Sequence, residues 1–195
     1  MTAATIVALC ITATLPFALT PLVRIQHRAA TLGAAGILVV ALGVSGFLAH
    51  AAHSPGGAAR LVAIVAAMLA AIAGGGIVVR AVLLVGGLSP WASDTTTETT
   101  DDDTTETSEP NDSETPAVSG PLRGGRLIGF LERASVAAAL LAHWPAGLAI
   151  ILAMKGLARY PELRAPHAAE QFIIGTFTSV LWAIAAAGTG YLLLT

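Results

Sequence analysis

Charge is scarce in this sequence. Lys, Arg, Asp and Glu supply only 11% of its 195 residues while 55% are apolar, and the mean hydropathy is +0.76. Soluble domains carry about 25% charged residues. A water-facing surface of that kind cannot be built here, and an integral membrane protein is expected. Cysteine is nearly absent. Cys10 stands alone inside an apolar run, which excludes an internal disulfide framework and a cysteine-ligated zinc site. Phosphate-binding loops and dinucleotide fingerprints are missing, and Ser135 and Ser179 have no identifiable base. The chain therefore reads as a non-enzyme with no implied cofactor.

What charge there is falls into two opposite segments. Residues 93–116 hold 9 of the 12 acids together with 9 Thr and 3 Ser, and no apolar side chain. The rest of the chain sets 10 Lys/Arg against Glu132, Glu162 and Glu170, so the formal charge of −2 divides into −9 and +7. A stretch of that composition cannot bury enough surface to offset the entropy of ordering. Residues 91–120 are expected to form a disordered acidic linker between an N-terminal unit, 1–90, and a C-terminal module, 121–195. The linker's hydroxyls could be phosphorylated or its acids could dock a basic partner, but no residue favours either over a solvated tether. Neither segment is the broad basic patch of a nucleic-acid binder, and nucleic acid is not an expected partner.

Crossing about 30 Å of hydrocarbon takes roughly 20 apolar residues in a helix. Four intervals qualify: 4–23, 30–48, 61–79 and 172–194. The interval from Arg126 to Arg159 contains Glu132, Arg133 and Lys155 and is broken at His143-Trp144-Pro145. It reads either as a helical hairpin, 127–142 and 146–158, with Pro145 opening the second helix, or as one helix, 134–154, kinked at the proline. Charge favours the hairpin. With six crossings and an external start, Arg24, Arg28, Arg80, Arg123, Arg126, Arg133, Lys155, Arg159 and Arg164 fall on the cytoplasmic side and only Arg60 outside. The kinked helix would export Lys155, Arg159 and Arg164. The expected fold is thus all-α, with six transmembrane helices in a 3+3 arrangement, both termini external and the acidic linker cytoplasmic. The hairpin helices are short and rely on re-entrance or on long basic side chains reaching the interface. The first span has an apolar core at 6–15 but no base before it, so an uncleaved anchor is expected rather than a signal peptide.

The residues that could carry chemistry are the charges of the C-terminal module. Arg126, Glu132, Arg133, Lys155, Arg159 and Glu170 are expected in one layer at the cytoplasmic end of its three helices. A carboxylate in hydrocarbon costs about 2.5 to 3.5 kcal/mol on insertion scales and cannot snorkel. Glu132 therefore calls for a partner, Lys155 first, then Arg133 or Arg159. The layer serves either as a structural staple or as a proton, ion or anionic-lipid site. Gly125 and Gly129 share a helix face with Glu132 and Val136, which would let a neighbouring helix approach the carboxylate. Gly175, Ser179, Ala183, Ala186 and Gly190 form a small-residue packing seam, and Gly33, Gly36, Gly43 and Gly46 a looser stripe; both are expected to pack internally, the other reading being a homodimer face. Gly74-Gly75-Gly76 is expected to be a point of close packing; the other reading is an unwound transporter helix. His50 and His53 have ligand-like spacing, but with His143 they lack carboxylate or cysteine company, so no metal site is expected.

The runs GRLIGFLER, AMKGLAR and IGTFTS together resemble the C-terminal module of uncharacterised bacterial multi-pass membrane proteins. The match covers residues 125–191, about a third of the chain. In that pattern a Gly-Arg-x-Ile-Gly-x-Leu-Glu-Arg run falls on Gly125 to Arg133, with Leu127 at the variable place. A Lys-x-x-x-Arg pair falls on Lys155 and Arg159, and an Ile-Gly-Thr-x-x-Ser run on Ile174 to Ser179. The resemblance implies one module holding the charge layer, but no activity. Nine Arg against one Lys, with abundant Ala and Gly, has the look of a high-GC, actinobacterial genome. The expected role is a scaffold or accessory subunit of the bacterial inner membrane. It would act through the lipid bilayer, a membrane-protein partner or a second copy of the chain. A small carrier or ion pathway built on Glu132 and Lys155 is the other reading.

Overall fold

The computed structural model describes residues 2–24, 28–51, 56–88, 125–158, 160 and 166–194. The linker expected over 91–120 lies outside them, as do His53, Arg123, Arg159 and Arg164. Six helices make up the described residues: α1 (Thr2–Arg24), α2 (Arg28–His50), α3 (Ala58–Val85), α4 (Gly125–Leu141), α5 (Ala146–Ala158) and α6 (Pro166–Leu194). Four of them, α1, α2, α3 and α6, are long and apolar enough to cross a membrane. At 1.5 Å per residue α3 and α6 run to more than about 40 Å, while α5 reaches only about 20 Å.

Between α4 and α5 the chain turns back instead of kinking. His143 takes the left-handed conformation, φ 59°, and its N–H reaches Leu140 O at 3.0 Å while Trp144 N–H reaches Ala139 O at 2.8 Å. Those two bonds form a Schellman stop, which satisfies carbonyls that an abrupt helix end would orphan. Pro145 follows, where a missing N–H costs nothing, and the Trp144 ring lies against Gly147, which has no side chain to displace it. The single helix over 134–154 is therefore not formed. Gly87, φ 72°, ends α3 by the same device.

Helices from both sides of the linker share one core. It joins Ala13 of α1, Leu38 and Leu42 of α2, Ala70, Ala71 and Val78 of α3, Val136 of α4, and Trp182, Ala183 and Ala186 of α6. The most extensive interface is between α3 and α6. These two helices are antiparallel: Gly190 lies beside Ala67, and Gly175 beside Val79. Small residues line this contact because lipid offers no hydrophobic drive for helices to associate, so close van der Waals approach must supply the attraction. A methyl group added at Gly190 would come within 2.6 Å of Ala67 Cβ. Between α1 and α2, Thr12 and Ser45 meet as a buried hydroxyl pair at 3.3 Å, each also bonded to the carbonyl four residues back. Helix α5 packs chiefly on α4.

The glycine stripe of α2 departs from expectation. Gly33, Gly36 and Gly43 have nothing within 4 Å of a would-be Cβ, and only Gly46 meets a neighbour, Thr189. The buried face of α2 consists instead of Thr31, Ala34, Ala35, Leu38, Leu42, Ser45 and Ala49. The packed face is one of alanines, leucines and hydroxyls, whose residues keep better helix propensity than glycine.

Gly190→Val should destabilise the bundle by about 2 kcal/mol or more through overpacking, whereas Gly43→Ala should be neutral or stabilising. Thermal unfolding of the two variants in one detergent checks the contrast.

Candidate functional site

The site is built on bare backbone. At Gly74 and Gly75 helix α3 continues unbroken, but it presents no side chain, and two large groups lie down on it. Trp182 of α6 covers Gly74 and donates from Nε1 to Ala70 O at 3.0 Å. Arg133 of α4 covers Gly75 and donates from Nε to Ile72 O at 2.9 Å. A helix carbonyl has a second lone pair beyond the one used within the helix, and it can be reached from the side only where no Cβ screens it. An alanine at Gly75 would place its methyl 2.5 Å from Arg133 Cδ. The close packing expected of the triple glycine is thus seen at Gly74 and Gly75, while Gly76 has no neighbour within 4 Å.

Glu132 and Arg133 are consecutive and diverge, as a rotation of about 100° per residue requires. Arg133 points inward and is only 6% exposed. Its Nη1 donates to Ser179 Oγ of α6 at 3.3 Å, and Cζ stands 5.4 Å from the Phe130 ring centre. Ile72 and Ser179 lie near the middle of α3 and α6, so the guanidinium is held halfway along the two longest helices. Glu132 points to α5, where Lys155 Nζ donates to its Oε2 at 2.5 Å. The pair is about one-fifth exposed, 18% for Lys155 and 22% for Glu132, and Lys155 Nζ is 5.8 Å from the Phe172 ring centre.

The expected charge layer therefore divides. Glu132 and Lys155 come together, Arg133 turns away from them into the three-helix contact, and Glu170 is exposed on α6. The side chains of Arg126 and Arg159 lie outside the description, as do the surroundings of Gly125. Gly129 does not admit a neighbouring helix; its open side is filled by the Arg133 guanidinium, 3.5 Å from a would-be Cβ. Of the seam on α6, Gly175 and Gly190 touch α3, Ser179 accepts from Arg133, and Ala183 and Ala186 are fully buried.

A cavity of about 10 Å³ lies between α4, α5 and α6, lined by Glu132, Arg133, Lys155 and Ser179 and by aliphatic side chains including Val136 and Val180. That is room for about one water molecule. A larger groove of about 310 Å³ opens between α1 and α3, walled by Cys10, Thr14, Leu61, Val65 and Leu69. Thr14 returns its hydroxyl to Cys10 O and Ile11 O, so the groove offers apolar surface only. Among the described residues no three His, Cys, Asp or Glu side chains gather. His143 packs on Tyr191, ring centres 5.0 Å apart, and Ser135 bonds back to Leu131 O.

Sequence reasoning did not find the docking of Arg133 and Trp182 on α3. The available signal was a glycine run facing two large donors, but donors and glycines are separated by the linker, and spacing carries no information across it. No protein-family model, curated protein or solved structure matches the chain.

Lys155→Leu should lower the yield of monodisperse protein more than Glu132→Gln, because removing the lysine strands a carboxylate whereas the amide still accepts from the lysine. The double variant should recover part of the loss, with a coupling of about 1 to 2 kcal/mol. Strictly additive losses in this four-protein cycle would show that the pair contributes no mutual stabilisation.

Proposed function

We propose that this chain is a multi-pass protein of a bacterial inner membrane that acts as a non-enzymatic scaffold or accessory subunit, through protein or lipid partners. The observation that carries this reading is the way the interior charges are held. Glu132 is paired with Lys155, Arg133 is tied to a backbone carbonyl and a serine, and the space beside them is the size of one water molecule. A conduction path needs connected polar space through the membrane, whereas a staple needs only mutual contact.

The topology proposed with it has six crossings in a 3+3 arrangement, the start of α1 and the end of α6 outside, and residues 91–120 as a disordered cytoplasmic tether. Two observations support it. The α4–α5 turn at His143 separates two helices, and the antiparallel course of α3 and α6 is what a hairpin between them requires; one kinked helix would leave them parallel. The asymmetry of nine bases against one supplies the orientation.

Cysteine labelling with an impermeant reagent should modify a residue placed at Trp144 from outside, and one placed at Thr105 only after permeabilisation; protection of the Trp144 position would defeat the hairpin topology. For the role itself, proteoliposomes should show no ion or proton flux above that of empty vesicles, and cross-linking in native membranes should retain a specific partner. A flux abolished by Glu132→Gln would replace the scaffold by the carrier.

A further inference from the structure

Two helices of this bundle imply different thicknesses of the bilayer around it. In α3 no charge falls between Arg60 and Arg80, and these arginines stand 20 residues, about 30 Å, apart along the axis. That matches the hydrocarbon of an ordinary bilayer. The flank formed by α5 is shorter. It starts at the hairpin tip, level with the end of α6, where His143 packs on Tyr191. Helix α5 is over by Ala158, 14 residues or about 21 Å beyond Trp144. Trp144 and Tyr160 bracket it, 56% and 65% exposed. Exposed Trp and Tyr seat at the two surfaces of a bilayer, where one end of the ring is wet and the rest is not. Here they enclose a helix about 9 Å too short for the hydrocarbon. Polar groups gather at its short end. The last four carbonyls of a helix have no partner within it, and at the end of α5 Leu157 O takes the Tyr160 N–H at 3.2 Å. Lys155 stands one turn before that end, in an ion pair with Glu132 that is about one-fifth exposed.

We propose that the α5 flank is a lipid-contact surface that thins the bilayer, drawing the leaflet at the α4 start toward the midplane by about 9 Å. Its headgroups and their water then meet the end of α5, the accessible side of the Glu132–Lys155 pair and the Tyr160 hydroxyl. Hydrocarbon of full thickness would instead cover all three, and it can solvate neither a helix end nor a charge. A bilayer yields to a short span at modest cost per ångström, and thinning around a charged group is one of the ways it does so. The outermost face of α5 suits acyl chains. Ile150, Met154 and Leu157 lie within one stripe of the helix and are all more than half exposed; such large flexible side chains hold off the backbone of a second helix, which close packing in lipid requires. The inference rests on α4 and α5 crossing as a hairpin, and it holds for a scaffold and a carrier alike.

The test is depth-dependent fluorescence quenching of the full chain in dioleoylphosphatidylcholine vesicles that carry a nitroxide either on the lipid headgroup or at the middle of the acyl chain. With Cys10 replaced by alanine, one fluorophore is attached through Leu157→Cys, Ile150→Cys or Ile37→Cys, all exposed positions. Gly46 beside Thr189 sets the end of α2 level with that of α6. Leu157 is 13 residues from Trp144 and Ile37 is 13 residues from His50, so the two lie at one depth, about 20 Å from the surface at the hairpin tip. At Leu157 the headgroup nitroxide should quench more strongly than the mid-chain one, and at Ile37 and Ile150 the order should reverse. Stronger mid-chain quenching at all three positions would mean that hydrocarbon of full thickness lies against α5, and would overturn the proposal. Weak quenching by both lipids at Leu157 would overturn it too, because a second copy of the chain would then cover the flank. Headgroup quenching that dominates at Ile150 as well as Leu157 would place the hairpin outside the hydrocarbon, and would defeat the hairpin topology together with the inference built on it.

Discussion

The bundle depends on the contact between a glycine pair and two long donors. Arg133 and Trp182 each bury a large side chain between helices, and each carries an N–H that must find an acceptor in a place where water is excluded. The acceptors are the carbonyls of Ala70 and Ile72 in the middle of α3, reachable because Gly74 and Gly75 leave the helix surface bare. One local property of α3 therefore fixes the seat of α4 and of α6 together. The alanine-rich contact of α3 with α6 and the tie from Arg133 to Ser179 extend the same arrangement along the bundle.

The two charged ties differ in kind. Arg133 is enclosed and works through backbone and hydroxyl dipoles, so its geometry is specified by the surrounding helices. Glu132 with Lys155 is a partly accessible ion pair that ties a short helix, α5, whose main neighbour is α4. The first resembles a core element and the second a clasp. Losing the clasp would free α5 while leaving the α3–α6 axis in place.

Reading along the sequence recovers what is encoded locally. The long helices are legible because continuous apolar runs bounded by arginines have few alternatives. The α4–α5 break is legible because His-Trp-Pro supplies both a stop and a start. The Glu132–Lys155 approach follows from the cost of a lone carboxylate in hydrocarbon. The glycines were read less well. On α2 the stripe of Gly33, Gly36 and Gly43 has no neighbour, because a face of alanines, leucines and hydroxyls on the same helix packs in its place, and periodicity alone cannot rank the two. Gly129 serves the arginine one turn along its own helix and no neighbouring helix. The inward course of Arg133 depends on Gly75, far away in the chain, and only the assembled bundle shows which of two adjacent charges turns toward the core.

The pairing of α3 with α6 has a consequence for how the chain is made. The helices that most need each other are first and last around the linker and the α4–α5 hairpin, so the dominant interface has high sequence separation and forms late. When α3 leaves the insertion machinery, the bare backbone at Gly74 and Gly75 has neither the arginine nor the tryptophan that later covers it. The first three helices must wait in the bilayer with that face open to lipid, through the synthesis of the linker and two further helices. Biogenesis of this protein is thus a retention problem, in which the first three helices have to stay together long enough for α4 and α6 to cover them.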